Sequence, residues 1–166
     1  ADSLIESASF AMAEGATHAI ILASSPAEKL EAERIARQIK AFGGKVEPVV
    51  ELAGGALPPK ALASWTKADM VVLMPGVKSP GEVLKKADAA KPPRPGRRIV
   101  ASAVLNAQDL SEPKLTGSIV CRYDQNVQGR IGSRYMASYG MPASAQAGYG
   151  FDAMAMAIGL AGRFGE

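Results

Sequence analysis

Two tetrapeptides combine hydroxyls and carboxylates at a meaningful spacing: Ser25-Pro26-Ala27-Glu28 and Ser79-Pro80-Gly81-Glu82. Each has the capping-box form, with a hydroxyl at the N-cap, proline at the first helical position and a carboxylate at the third. A helix opened this way aims free N–H groups at the space before it, a favourable seat for a carboxylate or another anion. The same serines serve equally as plain helix caps. Other reactive side chains are scattered. His18 is the only histidine, and it precedes an apolar run, which suits a surface or edge residue. Cys121 stands beside Arg122, whose charge lowers a thiol pKa, but a buried inert thiol fits the position as well. Asp124 and Asp152 have no partner carboxylate in the sequence, so paired acid–base catalysis has no support. One histidine and one cysteine are too few soft ligands for a transition-metal site, and neither a metal nor another cofactor is expected.

The known chemistries of alternating α/β chains can be tested by their motifs. No G-x-G-x-x-G follows a strand-like run, and no G-x-x-x-x-G-K-[ST] occurs. Ser24-Ser25-Pro26-Ala27 lacks the glycine and threonines of a flavin-phosphate loop. Met74-Pro75-Gly76 stands where a phospho-accepting receiver would end its third strand on aspartate. Gly76 to Gly81 has the wrong spacing for a G-x-S-x-G elbow. The chain is therefore not expected to be an enzyme.

The elements that position these residues follow from hydrophobic period. Leu4, Ile5, Ala8 and Met12 lie near helical spacing over residues 2–14, and Gly15 suits the position after the helix. Ala19 to Ala23 is a continuous apolar run, the pattern of a strand buried on both faces. The helix opened at Ser25 turns Leu30, Ile35, Ile39 and Phe42 inward and stops at Gly43-Gly44. Lys45 to Leu52 predicts a second strand, Ala61 to Lys67 a short helix, and Asp69 to Met74 a third strand. A helix from Ser79 to about Ala89 leads through the basic, proline-rich loop 91–98 to a fourth strand at Ile99 to Ser102. Leu115 to Val120 predicts a fifth strand, with Gly117 its weak point, and two helices near 125–139 and 149–163 finish the chain. Such alternation predicts a three-layer α/β/α fold with a mainly parallel five-stranded sheet. Ligands of such sheets bind beyond the C-terminal strand ends. The candidate ligand-binding residues are therefore Ser24 and Ser25 after the first strand, Pro75 and Gly76 after the third, and Ala103 to Asn106 after the fourth.

Charge and length narrow the classes further. The 166 residues suffice for one domain with a real core. No stretch approaches the roughly 18 consecutive apolar residues of a membrane-spanning helix. Lys85 to Arg98 holds six cations against Asp88, a local +5, so the remainder carries −2 within the total of +3. One loop supplies the whole basic excess, and no aromatic residues interleave with it, so nucleic acid is not an expected partner. A solvated loop is the simplest reading of that run. The chain starts at Ala1 without a basic segment followed by an apolar one, as expected of a processed product or an excised piece.

The C-terminal third carries a family resemblance. Leu115-Thr116-Gly117 is followed by Tyr135-Met136-Ala137-Ser138-Tyr139-Gly140, then Met141-Pro142-Ala143-Ser144 and Tyr149-Gly150-Phe151-Asp152-Ala153. This resembles the "L-x-G … F-x-x-x-Y-G-x-x-P-s … a-Y-D-A" ending of type I periplasmic solute-binding proteins, the branched-chain amino acid-binding kind. Upstream, Thr17 to Leu22, Ala41 to Val46 and Ala68 to Leu73 resemble the second lobe of that family. The resemblance implies a single lobe spanning residues 1–166, with strand order 2-1-3-4-5, from a two-lobe periplasmic receptor that is anchored as a lipoprotein in some branches. It implies a small-molecule ligand such as an amino acid, held between lobes by backbone N–H groups and serine hydroxyls. Ser24-Ser25-Pro26 replaces the Tyr-Gly pair usual after the lobe's first strand, and Phe151-Asp152-Ala153 replaces Tyr-Asp-Ala. These departures bring the chain closer to penicillin-binding protein activators, which would make a cell-wall synthase the partner. Phe151 to Leu160 is apolar nearly all round, so this helix is expected to pack on a missing N-terminal lobe or a second copy of the chain. Clustered polar groups around Ser24 and Gly76 would favour the ligand-binding reading, and an apolar or closed cleft the regulatory one.

Overall fold

Ile20, Ile21, Leu22, Val71 and Val72 are wholly buried, because helices cover both faces of the sheet they form. They belong to the first of two compact units, Ala1–Arg122 and Tyr123–Glu166, in a computed structural model that describes residues 2–52, 54–102, 111–121, 125–141, 150, 153–159 and 162. The first unit runs α1 (Asp2–Ala13), β1 (His18–Ala23), α2 (Pro26–Ala41), β2 (Lys45–Val46), β3 (Val50–Glu51), α3 (Leu62–Lys67), β4 (Met70–Leu73), α4 (Pro80–Ala90) and β5 (Arg98–Ala101). Short 3-10 turns at Pro59–Ala61 and Pro113–Leu115 complete it.

The strand order is β2-β1-β4-β5, with β3 pairing further along β1, and every pairing is parallel. Ala19 sits opposite both Val46 and Met70, and Val72 opposite Val100. A single parallel bridge, Val100 to Ile119, extends the sheet beyond β5. With β2 and β3 counted as one interrupted edge strand, this is the expected three-layer α/β/α fold with the order 2-1-3-4-5. Helices α1 and α2 pack together on one side, and α3 and α4 together on the other. Helix α1 closes at Gly15 (φ 98°), whose positive φ lets Ala16 N–H donate back to the Ala11 carbonyl at 3.0 Å.

Four local expectations are corrected. The second strand is broken at Glu47-Pro48-Val49, because Pro48 has no N–H to continue the ladder. The fifth strand shrinks to one bridge, since Leu115 ends a 3-10 turn and Thr116-Gly117 turns the chain. Leu30 and Phe42 are 68% and 53% exposed; the buried face of α2 is Ala32, Ile35, Ala36 and Ile39. Those four follow the i, i+3, i+4, i+7 rule, which Leu30 misses by two positions and which Phe42, beyond the last helical residue, does not share. The fourth correction concerns the basic loop, which is only partly solvated. Arg97 forks onto Asp88 at 3.0 and 3.3 Å, with side chains 6% and 9% exposed, and lies 4.3 Å above the ring of fully buried Trp65. Trp65 Nε1–H and Lys114 Nζ also donate to Asp88, at 3.2 and 2.8 Å. Arg94 donates to Asp69 at 3.3 Å, and Arg98 to the Glu14 carbonyl. Lys85, Lys86 and Lys91 remain exposed.

In the second unit, α5 (Gln125–Tyr139) carries Tyr135 and Tyr139 with ring centroids 4.6 Å apart. Residues 153–159 are helical, with Met154, Met156 and Ile158 exposed. Phe151, Asp152 and Leu160 lie outside the described residues. No helix among the described residues is long and apolar enough to cross a membrane.

Candidate functional site

The chain leaves β1 toward one edge of the sheet and leaves β4 toward the other, so the strand order switches between these neighbours. Ser24 follows β1 and Pro75-Gly76 follows β4, which places both predicted segments at the switch. Glu28, on the first turn of α2, bridges them. Its Oε2 accepts from Ser24 N–H at 2.8 Å and from Ser24 Oγ–H at 2.7 Å, while Oε1 accepts from Gly76 N–H. Three donors thus converge on one carboxylate at the strand ends. A Cβ at Gly76 would stand 2.6 Å from Ser24 Oγ and 2.8 Å from Glu28 Oε1, so a side chain there would push the serine hydroxyl and the carboxylate aside.

The two capping boxes behave differently. Ser25 is extended (φ −152°, ψ 161°), and its Oγ accepts from Glu28 N–H at 3.2 Å, as expected of the N-cap. The reciprocal half of the box is absent, since the Glu28 carboxylate is spent on Ser24 and Gly76 rather than on Ser25 N–H. Ser79 makes no side-chain cap and lies in the left-handed region (φ 47°, ψ 56°), so the second box does not form. Ser24 is exposed, Ser25 half-buried, and Pro75 and Gly76 exposed. Of the six candidate residues, Ser24 and Gly76 converge, Ser25 caps the helix between them and Pro75 forms the turn. Ala103 and Asn106 lie outside the described residues.

A cleft of about 560 Å³ opens at this end of the sheet, lined by Ser24, Gly55, Gly76, Lys78, Glu82 and Lys86 among others. It offers hydroxyl, cationic and anionic groups, with glycine backbone on two sides. The Glu82 charge is partly answered by Lys85 at 3.5 Å. Glu28 enters the sequence reading only as a capping-box carboxylate, and Lys78 and Lys86 carry no local signal for a site. The signal for Glu28 was the carboxylate of the first box, which the capping-box pattern assigns to its own helix rather than to a neighbouring strand. Two further clefts, of about 470 and 580 Å³, follow the interrupted edge strand and hold none of the candidate residues.

The remaining reactive groups have structural partners. His18 Nε2 lies 2.7 Å from Glu47 Oε1, and Ser64 Oγ–H donates to Glu47 Oε2 at 2.6 Å. The Ser64 hydrogen bond, supported by His18 and Lys67, holds the Glu47 carboxyl below its usual range although burial opposes this. The carboxylate stands between the hydroxyl and the imidazole, so these three groups do not form a nucleophile–base pair. Asp69 accepts from the amides of Thr17 and His18 at 3.0 and 2.8 Å and from Thr17 Oγ1 at 2.9 Å. Burial raises its pKa, but these donors and Arg94 outweigh that and leave it lowered. Cys121 is half-buried, with its N–H donating to Ser7 Oγ at 2.8 Å. Arg122, Asp124 and Asp152 lie outside the described residues. Among the described residues no three His, Cys, Asp or Glu side chains gather as a metal site.

No family model matches the chain, and no match was found among curated proteins or solved structures.

Proposed function

We propose that the chain is a non-enzymatic ligand-binding lobe of an extracytoplasmic, periplasmic receptor, taking a small zwitterion such as an amino acid. The observation that carries this reading is the cleft at the switch in strand order, where Ser24, Gly76 and side chains of both charge signs stand beside apolar Leu52, Val77 and Val83. In parallel α/β sheets this is the position where small ligands are held. Lys78 and Lys86 suit a ligand carboxylate, and Glu82 suits an ammonium group. In the free protein Glu28 takes the Ser24 and Gly76 donors, so the lysines are the groups that an entering ligand meets first. An open cleft of this kind binds weakly until a second lobe, or a second copy of the chain, closes over it.

The test is a thermal-shift screen of the protein against the common amino acids at millimolar concentration. At least one should raise the melting temperature, by about 3–5 °C when it is at ten times its Kd. No stabilisation by any of them overturns the reading. The alternative is then a lobe of the penicillin-binding protein activator kind, docking a cell-wall synthase. The exposed Met154, Met156 and Ile158 are the observation that favours it.

A further inference from the structure

The Glu28 carboxylate is an internal ligand. It is held by three donors from two strand ends, Ser24 N–H, Ser24 Oγ–H and Gly76 N–H, and the missing side chain at Gly76 leaves the carboxylate its present place, where a Cβ would stand 2.8 Å from Oε1. Neither strand end needs this carboxylate in order to fold. Ser24 and Gly76 are both exposed, so water could satisfy their N–H groups. Nor does the helix need it, because Ser25 already caps α2 from its own hydroxyl. The donors nevertheless converge at the spacing of one carboxylate, and both donor residues line the cleft of about 560 Å³ through which a free carboxylate could reach them. Glu28 is attached by a side chain with three rotatable bonds and can leave without unwinding the helix.

We infer that Ser24 and Gly76 form a receptor for small carboxylates, filled by Glu28 in the free protein and vacated when the carboxylate of an incoming ligand takes its place. This rests on the cleft of the proposed function and deepens it by naming the group that the ligand must displace. A tethered carboxylate competes at high effective concentration, so the seat refuses weak monovalent acids and admits only ligands that also engage the rest of the cleft. Glu28 is thereby a specificity-determining residue.

Acetate is the probe. The full chain and its Glu28→Ala variant are titrated with sodium acetate against sodium chloride at matched ionic strength, following the Gly76 amide resonance and the melting temperature. Acetate should saturate the variant, moving the Gly76 amide and raising its melting temperature by about 3–5 °C at ten times the Kd. The parent chain should show neither response. Glu28→Asp keeps a carboxylate at the helix start but falls one methylene short of the seat. It should respond as the alanine variant does and guards against a loss of fold in that variant. If both variants ignore acetate, or the parent responds equally, the receptor does not exist as inferred. Amino-acid binding by the parent chain is scored separately, so failure here is distinct from failure of the proposed function.

Discussion

Glu28 accepts a hydrogen bond from the backbone N–H of Gly76, 48 residues further along the chain and beyond the neighbouring strand of the sheet. Through Ser24 the same carboxylate holds the end of its own strand. One side chain therefore couples the first turn of α2 to the loop that leads into α4, across the point where the strand order switches. Such a contact fixes the floor of the cleft without contributing apolar burial, so its effect is measurable separately from the core.

Gly76→Ala should destabilise the protein by about 1–2 kcal/mol, because the new Cβ forces Ser24 Oγ and the Glu28 carboxylate apart and breaks their charge-assisted bonds. The same substitution made together with Glu28→Ala should cost less, with a coupling of at least about 0.5 kcal/mol in a urea-denaturation cycle. Strict additivity would show that the two positions do not share this contact.

Ser25→Ala should cost about 0.5–2 kcal/mol through loss of the cap to Glu28 N–H. Ser79→Ala should be close to neutral, since Ser79 caps nothing. Ser79→Gly should stabilise by about 0.5–1 kcal/mol, because glycine carries no side-chain penalty in the left-handed region. Chemical denaturation of the three variants checks the ranking. A Ser79→Ala loss as large as that of Ser25→Ala would restore the second capping box.

The contrast between Ser25 and Ser79 shows how far sequence reaches. The positions of the buried strands followed from apolar runs such as Ala19 to Ala23 and Met70 to Leu73, because a parallel sheet buried on both faces writes itself as uninterrupted hydrophobic residues. Ser25 and Ser79 share one local pattern, yet only Ser25 caps, since the backbone angle at Ser79 is set by the turn from β4 into α4 rather than by its own tetrapeptide. Leu30 falls off the i, i+3, i+4, i+7 set of Ala32, Ile35, Ala36 and Ile39, the face of α2 that is buried. Ser24 and Gly76 could be placed at strand ends from sequence, whereas the Glu28 bridge spans 48 residues and no local pattern aims that carboxylate at Gly76. The ties of Arg97, Arg94 and Arg98 were hidden for the same reason, as their partners lie 9, 25 and 84 residues away.

Asp88→Asn should destabilise strongly at neutral pH, by about 3–5 kcal/mol, because Arg97 is left buried beside Trp65 without its counter-charge. Burial raises the Asp88 pKa, but Lys114 and Arg97 outweigh it and hold the carboxyl below its ordinary value. A lowered carboxyl contributes stability that is fully present above its unfolded value of about 3.9 and is lost as pH falls through the lower folded value. The gap between parent and variant in urea unfolding should therefore be full at pH 7, hold down to about pH 5, and narrow only as pH falls below about 3.9. A gap independent of pH would mean that lost packing, not charge, sets the cost.

Ser64→Ala tests the carboxylate at the interrupted edge strand. Glu47 sits where Pro48 breaks the ladder, its N–H donating to the Ala19 carbonyl at 2.9 Å while its carboxylate reaches Ser64 and His18. The Ser64 hydrogen bond is the largest influence on the Glu47 pKa and lowers it, so removing the hydroxyl should move that pKa upward toward its ordinary value. The sign for stability follows: the bond contributes above the unfolded value of about 4.3 and fades as pH falls through the lower folded one. Above pH 5 the variant should lose about 1.5–3 kcal/mol, the range for a hydrogen bond to a charged group. Because Glu47 holds the break against β1, α3 and His18 together, the amides of Val46 and Val50 should also exchange faster in the variant. A Glu47 side-chain NMR titration that is unchanged by the substitution would remove Ser64 from this role and leave His18 as the principal support of the edge.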